Sequence, residues 1–538
     1  MRTFSAFLSL VLAFVAGTGF RSAAQTGVLR EISAAKPIKS NPVQPINLTH
    51  ISPGSGVVGA SVTIMGSNFG SAQGSSTVTF NGTAASVVNW TDWSIVAKVP
   101  SGDSSGKVVV TVGGLASNGV NFSVVTLPTN SIVLSNFGFQ CGLSPTDCGG
   151  PGGTIVWPQM QSQPEFLRLH DAGTSWSDLS TGSGTYDWTT LEKWLDVIAK
   201  HQPLDVIEVF SWVPCWDAPN CEQPIVAPTG TDAPPNDLTA SGSPSFNEFV
   251  TQFVQHCSPA GNCAGNCPPG RTCTTTNLIR YYEMWNEWNT PVRWTGNVNQ
   301  LYEMVAPAVP IIRANVKNSV ILTPSTTSGS ITDFQAWLNL ETTKGPISNW
   351  VVWHDYLSGN TPEEEWSLHS AIYLSNQVSL PAWKNIPWAD TETNFNTQTY
   401  SCPATFSADD CTGQIVRWQL LHASNGAMNL NWYKWPQTLE ENSQYGTVYH
   451  YMTQYLLGGK FRGPCTFTAA EAATTWTCNF TESGGAIAAL WVWTPNEAGA
   501  RFTVPSGYVD YLDLTGAKTT VSYGQSINIG PIPIMLEQ

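Results

Sequence analysis

From Ser131 to Lys460, short apolar runs alternate with longer amphipathic stretches, and this rhythm constrains the fold more than any other feature of the chain. Strand candidates are Ile132–Phe139, Phe166–His170, Asp205–Ser211, Arg280–Glu287, Ser319–Thr323, Trp350–His354, Ile386–Glu392 and Ala427–Trp432. Between them lie helix candidates, among them Thr189–Lys200, Ser245–His256, Val298–Val316, Pro362–Val378, Thr412–Ser424 and Gly446–Leu456. Eight strands with intervening helices over about 330 residues is the count for a (β/α)8 TIM barrel. An open doubly wound sheet would carry a glycine-rich phosphate loop after its first strand, where this chain has Phe137-Gly-Phe-Gln-Cys141.

The flanks read differently. From Ile46 to Val125 come five short alternating segments, Ser61–Met65, Thr77–Phe80, Ser94–Lys98, Lys107–Val112 and Val120–Val124, parted by Gly, Ser and Asn, the pattern of a small β-sandwich. Short strands return after Phe461, at Ala486–Trp493, Phe502–Val504 and Ser526–Ile529, and predict a second β-sandwich. At the start, Arg2 precedes an apolar run from Phe4 to Ala16 and then Ser22-Ala23-Ala24, which reads as a secretory signal cleaved near Ala24. No other stretch approaches the ~20 apolar residues of a membrane span. The expected order is a signal peptide (1–24), a linker (25–45), an immunoglobulin-like domain (46–126), the barrel (127–460) and the C-terminal sandwich (461–538), in a secreted or periplasmic protein.

The 12 cysteines fit an oxidising compartment. Several are close neighbours: Cys141 with Cys148, Cys215 with Cys221, Cys402 with Cys411, Cys465 with Cys478. Cys257, Cys263, Cys267 and Cys273 crowd one Gly/Pro-rich loop and can pair in three ways. A zinc site would want a repeated Cys-x-x-Cys or a nearby histidine pair, so no metal is expected. Only 11% of residues are charged, and the net charge of −15 disfavours nucleic acid. The 23 tryptophans, core residues in the main, also suit a carbohydrate partner, since sugar C–H faces stack on aromatic rings.

Two carboxyls stand out: Glu287 in Tyr-Tyr-Glu-Met-Trp-Asn286-Glu287 and Glu392 in Trp-Ala-Asp-Thr-Glu392. Each is expected at the C-terminal end of a strand, the fourth and the seventh, where barrel enzymes keep their chemistry. Two carboxyls facing one sugar suffice to cleave a glycosidic bond, and Asn286 has a donor and an acceptor for a hydroxyl beside it. Arg168 could orient the nucleophilic carboxylate and keep it ionised, Tyr356 could donate to it, and His170 and His354 could bind hydroxyls. Each of these alone is also a common structural element. Trp432 and Trp435 follow the eighth strand, where a tryptophan resembles the sugar-stacking platform of a glycoside hydrolase clan, with core packing the rival; Trp212 and Trp216 after the third share the ambiguity. Glu208, Glu283 and Asp355 read as support.

Two resemblances follow from these motifs. Ser52-Pro-Gly-Ser-Gly-Val-Val-Gly59, Gly66-Ser-Asn-Phe-Gly70, Val78-Thr-Phe-Asn-Gly82 and Gly119-Val-Asn-Phe-Ser123 resemble an IPT/TIG domain, which implies a spacer or binding module without chemistry. Trp285-Asn286-Glu287 with the later Glu392 resembles the clan of retaining (β/α)8 glycoside hydrolases, most nearly family 39. That implies Glu287 as acid/base and Glu392 as nucleophile, no cofactor, and counterparts of family motifs in Arg168-Leu-His170 and His354-Asp-Tyr356. Relatives usually carry Pro after the acid/base; Trp288 stands here. The expectation is a secreted retaining glycosidase, its rival a non-catalytic polysaccharide-binding or cell-surface protein on a decayed barrel. Sugar identity and exo or endo action stay open.

Overall fold

The computed structural model describes residues 45–52, 55–56, 58–59, 61–100, 105–124, 131–141, 155, 157–158, 160–162, 164–219, 230–257, 278–327, 329–396, 399–434, 443–468, 474–485 and 487–538. The leader, most of the linker, Cys148, Cys221, Trp435 and the loop bearing Cys263, Cys267 and Cys273 lie outside the described residues. Eight parallel strands form the central sheet: β1 (Phe137–Gln140), β2 (Phe166–Leu169), β3 (Asp205–Val209), β4 (Tyr281–Glu283), β5 (Val320–Leu322), β6 (Val351–His354), β7 (Trp388–Thr393) and β8 (Leu430–Tyr433). Their order is β5-β4-β3-β2-β1-β8-β7-β6, and parallel bridges Leu322–Trp350 and Thr327–His354 bring β5 to β6, so the barrel is nearly closed.

The strands are buried on both faces, as a parallel barrel requires. Along β3 the pleat still sorts side chains: Ile207 and Val209 join Phe166, Tyr281, Leu322 and Val352 in one core cluster, while Val206 faces the main core shared with the helices. Helix Pro244–His256 shows how that layer forms. Ser243 Oγ accepts from Phe246 N, Pro244 occupies the first turn where no N–H is needed, and Phe246, Phe249 and Phe253 pack edge-on against Phe210. Gly138 is required by close approach: a Cβ there would stand 2.1 Å from Asn431 Oδ1.

Two expectations need correction. The single helix over 298–316 is two, Val298–Val305 and Ala308–Asn315, because Pro307 has no N–H to continue the ladder. Strand β4 stops at Glu283, so Glu287 lies four residues past the strand, in a turn, at φ 45°.

The N-terminal β domain has two sheets, with strands Asn47–Ser52, Ser61–Ser67, Ser94–Lys98 and Val87–Trp90 in one and Thr77–Phe80, Gly106–Val112 and Val120–Val124 in the other. Ile64, Ile95, Phe80, Val110 and Phe122 fill the space between them. The domain rests on the barrel. Gly59 lies over the buried indole of Trp366, where an added Cβ would meet Cδ1 at 3.3 Å, and burial lowers the Lys98 pKa despite the nearby charges of Glu364 and Glu363. The C-terminal region is an antiparallel sheet that includes Thr475–Thr481, Ala488–Trp493 and Ile534–Glu537, with the ladder Ala500–Thr503/Ser526–Ile529 packed on it through Val492, Val504, Ile527 and Ile529. Trp493 Nε1 donates to Glu363 Oε1 at 2.6 Å, tying this sheet to the helix after β6.

Disulfides Cys402–Cys411 and Cys465–Cys478 are present as expected, and Cys141 and Cys215 are disulfide-bonded. Among the described residues no helix is long and apolar enough to cross a membrane.

Candidate active site

Arg168, on β2, organises the C-terminal mouth of the barrel. Its guanidinium donates from Nε and Nη2 to the two oxygens of Glu283 (2.9 and 2.8 Å), from Nη1 to Gln140 Oε1 (2.7 Å) and Glu392 Oε2 (2.5 Å), and from Nη2 to Asn286 Oδ1 (2.8 Å). These contacts join residues of β1, β2, β4 and β7 with the turn after β4. Both Arg168 and Glu283 are fully buried, so the bidentate pair is what makes each tolerable there. Glu283 therefore supports Arg168 and is held well below the usual carboxylate range, burial being outweighed by Arg168 and His354.

Glu392 is held from two sides: Arg168 on Oε2, and Tyr356 OH donating to Oε1 at 2.6 Å. His170 Nδ1 stands 3.8 Å from the same Oε2. Glu287 has different company. His354 Nδ1 lies 3.0 Å from its Oε1, Arg293 Nε 3.6 Å from its Oε2, and its backbone N donates to Ser325 Oγ at 3.0 Å. Ligand-capable atoms of Glu287, His354 and Glu392 all lie within 4.8 Å of one another. The sequence motifs a hundred residues apart thus converge on one small volume.

Electrostatics differ between the two carboxyls only in detail. Burial opposes ionisation of both; His354 and then Arg293 outweigh it at Glu287, His354 and then Arg168 at Glu392, and both pKa values lie below the ordinary one. Each charge raises the other, as like charges do. At His354 burial is outweighed by Glu392, Glu283 and Glu287, and its pKa rises to about 9. Nε2 of that ring is 3.2 Å from Arg168 Nη2, a hydrogen bond only if Nε2 is bare, whereas a pKa near 9 favours imidazolium. Both states put a proton on Nδ1 facing Glu287 Oε1. Burial lowers His170 and raises Tyr356 well above its usual value, so at neutral pH the first is uncharged and the second a donor.

Backbone strain concentrates here. Asp171, Trp212, Glu287 and Lys434, which follow β2, β3, β4 and β8, have φ of 56°, 59°, 45° and 54°. Such conformations cost energy in non-glycine residues and gather where a scaffold must aim side chains.

Of the expected residues, Arg168, Asn286, Glu287, His354, Tyr356 and Glu392 form one hydrogen-bonded group, with His170 alongside. Trp432 is fully buried, its ring 5.9 Å from Phe395, and offers no exposed face. Tyr433 and Tyr400 are the aromatics at that strand end: Tyr433 OH donates to Asp171 Oδ2 at 2.8 Å, and Lys434 Nζ sits 4.2 Å over Tyr400. Sequence reasoning missed Gln140 and Arg293. Gln140 is legible in hindsight as the polar end of an apolar β1; a lone loop arginine carries no signal. Among the described residues, two carboxylate–histidine groups could accommodate a metal by spacing: the site itself, and Asp355, Glu365 and His369 behind β6. In the first, Arg168, Tyr356 and His354 already occupy the carboxylate oxygens.

A model of the IPT/TIG domain matches residues 45–124. No curated protein matches the chain by sequence. Similar solved structures include the catalytic domain of GH30 xylanase C from Talaromyces cellulolyticus (12% identity, 77% of this chain and 98% of that one, TM-score 0.46). A glucosidase from Croceicoccus marinus (9% identity, 74% and 83%, TM-score 0.45) and a GH51 arabinofuranosidase from Xanthomonas axonopodis pv. citri (10% identity, 76% and 97%, TM-score 0.43) are others.

Proposed function

We propose that this chain is an exported retaining glycoside hydrolase, with Glu392 the nucleophile and Glu287 the acid/base. The observation that carries the reading is the pair itself: two carboxyls with oxygens within 4.8 Å, each held by its own partners, at the mouth of a nearly closed barrel. One oxygen of each lying within 4.8 Å of one on the other supports double displacement, for which carboxyls stand ~5–5.5 Å apart, over inversion at ~6.5–9.5 Å. Glu392, fixed by Arg168 and Tyr356, attacks the anomeric carbon; the protonated form of Glu287 gives its proton to the departing oxygen. When Glu392 becomes an ester its charge disappears, Glu287 loses a neighbour that raised its pKa, and it is left as the base that activates water.

Substrate contacts follow from unsatisfied groups. Among the described residues, His170 Nδ1 and Nε2 and Asn286 Nδ2 are buried polar atoms without a hydrogen-bond partner. Buried donors are rarely left unpaired, and sugar hydroxyls supply what these lack. The likeness of Trp285-Asn286-Glu287, Arg168-Leu-His170 and His354-Asp-Tyr356 to glycoside hydrolase family 39 points the same way, and the leader and disulfides support export. Proton NMR of the first-formed anomer from an activated glycoside tests the mechanism: retention supports it, and inversion removes it.

A further inference from the structure

We propose that Arg293 and Trp212 form a leaving-group subsite for a carboxylate-bearing sugar, a uronosyl residue, resting on the glycosidase reading of Glu287 and Glu392. Arg293 lies in the loop after β4, its guanidinium stacked 4.9 Å over the Trp212 ring and its Nε 3.6 Å from Glu287 Oε2. It sits on the acid/base side, beside the carboxyl that protonates the leaving oxygen and apart from the Arg168 and Tyr356 contacts to Glu392. Trp212 sits at φ 59°, a conformation unfavourable for a bulky side chain.

Arg168 spends its donors on four side chains, whereas Arg293 Nε is buried with no hydrogen-bond partner among the described residues, and the side chain keeps 26% exposure. A guanidinium stacked by its face keeps its N–H groups at its edge, open to an incoming acceptor. A hydroxyl uses one such donor; a carboxylate takes two in parallel. Val292 (69% exposed) in the Arg293 loop and Trp216 (37% exposed) in the Trp212 loop offer apolar surface for a sugar ring.

Chemistry at Glu287 favours the anion further. Arg293 helps keep Glu287 ionised, yet the first step needs its proton. A substrate carboxylate that takes up the guanidinium cancels that cation and adds a negative charge nearby, and both changes ease protonation of Glu287. A neutral sugar does neither. The chain's net charge of −15 acts against polyanions at long range, but salt screens charges beyond about 8 Å, and the nearest charge decides docking.

The test uses aryl glycosides of one sugar with two leaving groups, 3-carboxyphenyl and its methyl ester, the carboxylate standing in for that of a uronosyl residue. For the full chain kcat/KM is expected to favour the carboxylate by about tenfold or more, as for a lost charge-assisted pair. Arg293→Gln is expected to bring the ratio to about one, and Arg293→Lys, which keeps charge without the fork, to an intermediate value. The ratio within each enzyme cancels losses shared by both substrates, and the wild-type preference stands even if a variant fails to fold. Equal rates for the pair in the wild-type enzyme, or a preference that survives Arg293→Gln, overturn the subsite alone. No turnover of any aryl glycoside removes the glycosidase reading and the subsite with it.

Discussion

Replacing Arg168 with Met separates what the arginine does for the fold from what it does for Glu392. The substitution keeps much of the volume but strands Glu283, fully buried, without its bidentate partner. Removing one member of a buried pair costs about 3–5 kcal/mol. Spread over about 330 barrel residues at ~2.1 cal/mol/K each, that is a fall in melting temperature of about 4–7 °C. Adding Glu283→Gln removes the stranded charge and is expected to recover most of the loss. Activity is expected to behave otherwise. Glu392 loses its 2.5 Å donor in the single and the double variant alike, its pKa rises toward the ordinary value, and turnover stays at least ~100-fold down in both. Calorimetry and steady-state kinetics on the four proteins of the cycle measure the two effects separately. An unchanged melting temperature in Arg168→Met, or activity restored by the second substitution, would refute the reasoning.

Because the pKa of Glu287 is held down by His354 after burial is overcome, kcat/KM should fall as pH rises toward neutral, and His354→Ala should move that falling limb to higher pH; an unmoved limb in a stopped pH series would break the link. Asp390 is buried, burial raises its pKa well above the carboxylate range, and its Oδ1 accepts from the backbone N of Asp355 and Glu392 at 3.3 Å. A raised carboxyl binds its proton more tightly folded than unfolded, so it stabilises least once pH passes the unfolded value; Asp390→Asn keeps the acceptor and should flatten the decline in stability from pH 4 to 7, read by denaturant titration. Removing residues 1–126 uncovers Trp366, so the melting temperature should drop while turnover of small glycosides by the folded remainder persists, in keeping with a site built wholly from barrel residues. Loss of turnover by a folded truncation would show that the N-terminal domain contributes to the site.

The barrel was legible because its strands and helices differ in period and each strand candidate carries a short run of apolar residues. Thr189–Lys200 has the bounds expected from its pattern, and all eight strand candidates overlap observed strands. What was not legible depends on backbone geometry. Nothing in Met284-Trp285-Asn286 announces that the ladder ends at Glu283 and that Glu287 is aimed by a turn at positive φ. Side-chain type located Arg168, Tyr356 and His354 but not how their hydrogen bonds divide: Arg168 and Tyr356 donate to Glu392, while His354 pairs with Glu287 and acts on Glu392 through its charge. Trp432 shows the limit of reading by residue type, since a tryptophan at a strand end can face a sugar or, as here, pack against Phe395. Arg293 was invisible because its meaning lies in Trp212, 81 positions earlier in the chain.

The assignment of Glu392 and Glu287 to different steps is tested most directly by azide rescue of their alanine variants with an activated aryl glycoside. Glu392→Ala should lose turnover by a factor on the order of 10⁴ or more, and azide, entering the vacated face, should restore part of it as a glycosyl azide of inverted configuration. Glu287→Ala should retain its glycosyl-enzyme step with such a good leaving group, and azide should then give the retained product. Swapped configurations would exchange the two roles, and turnover untouched by either substitution would contradict the site altogether.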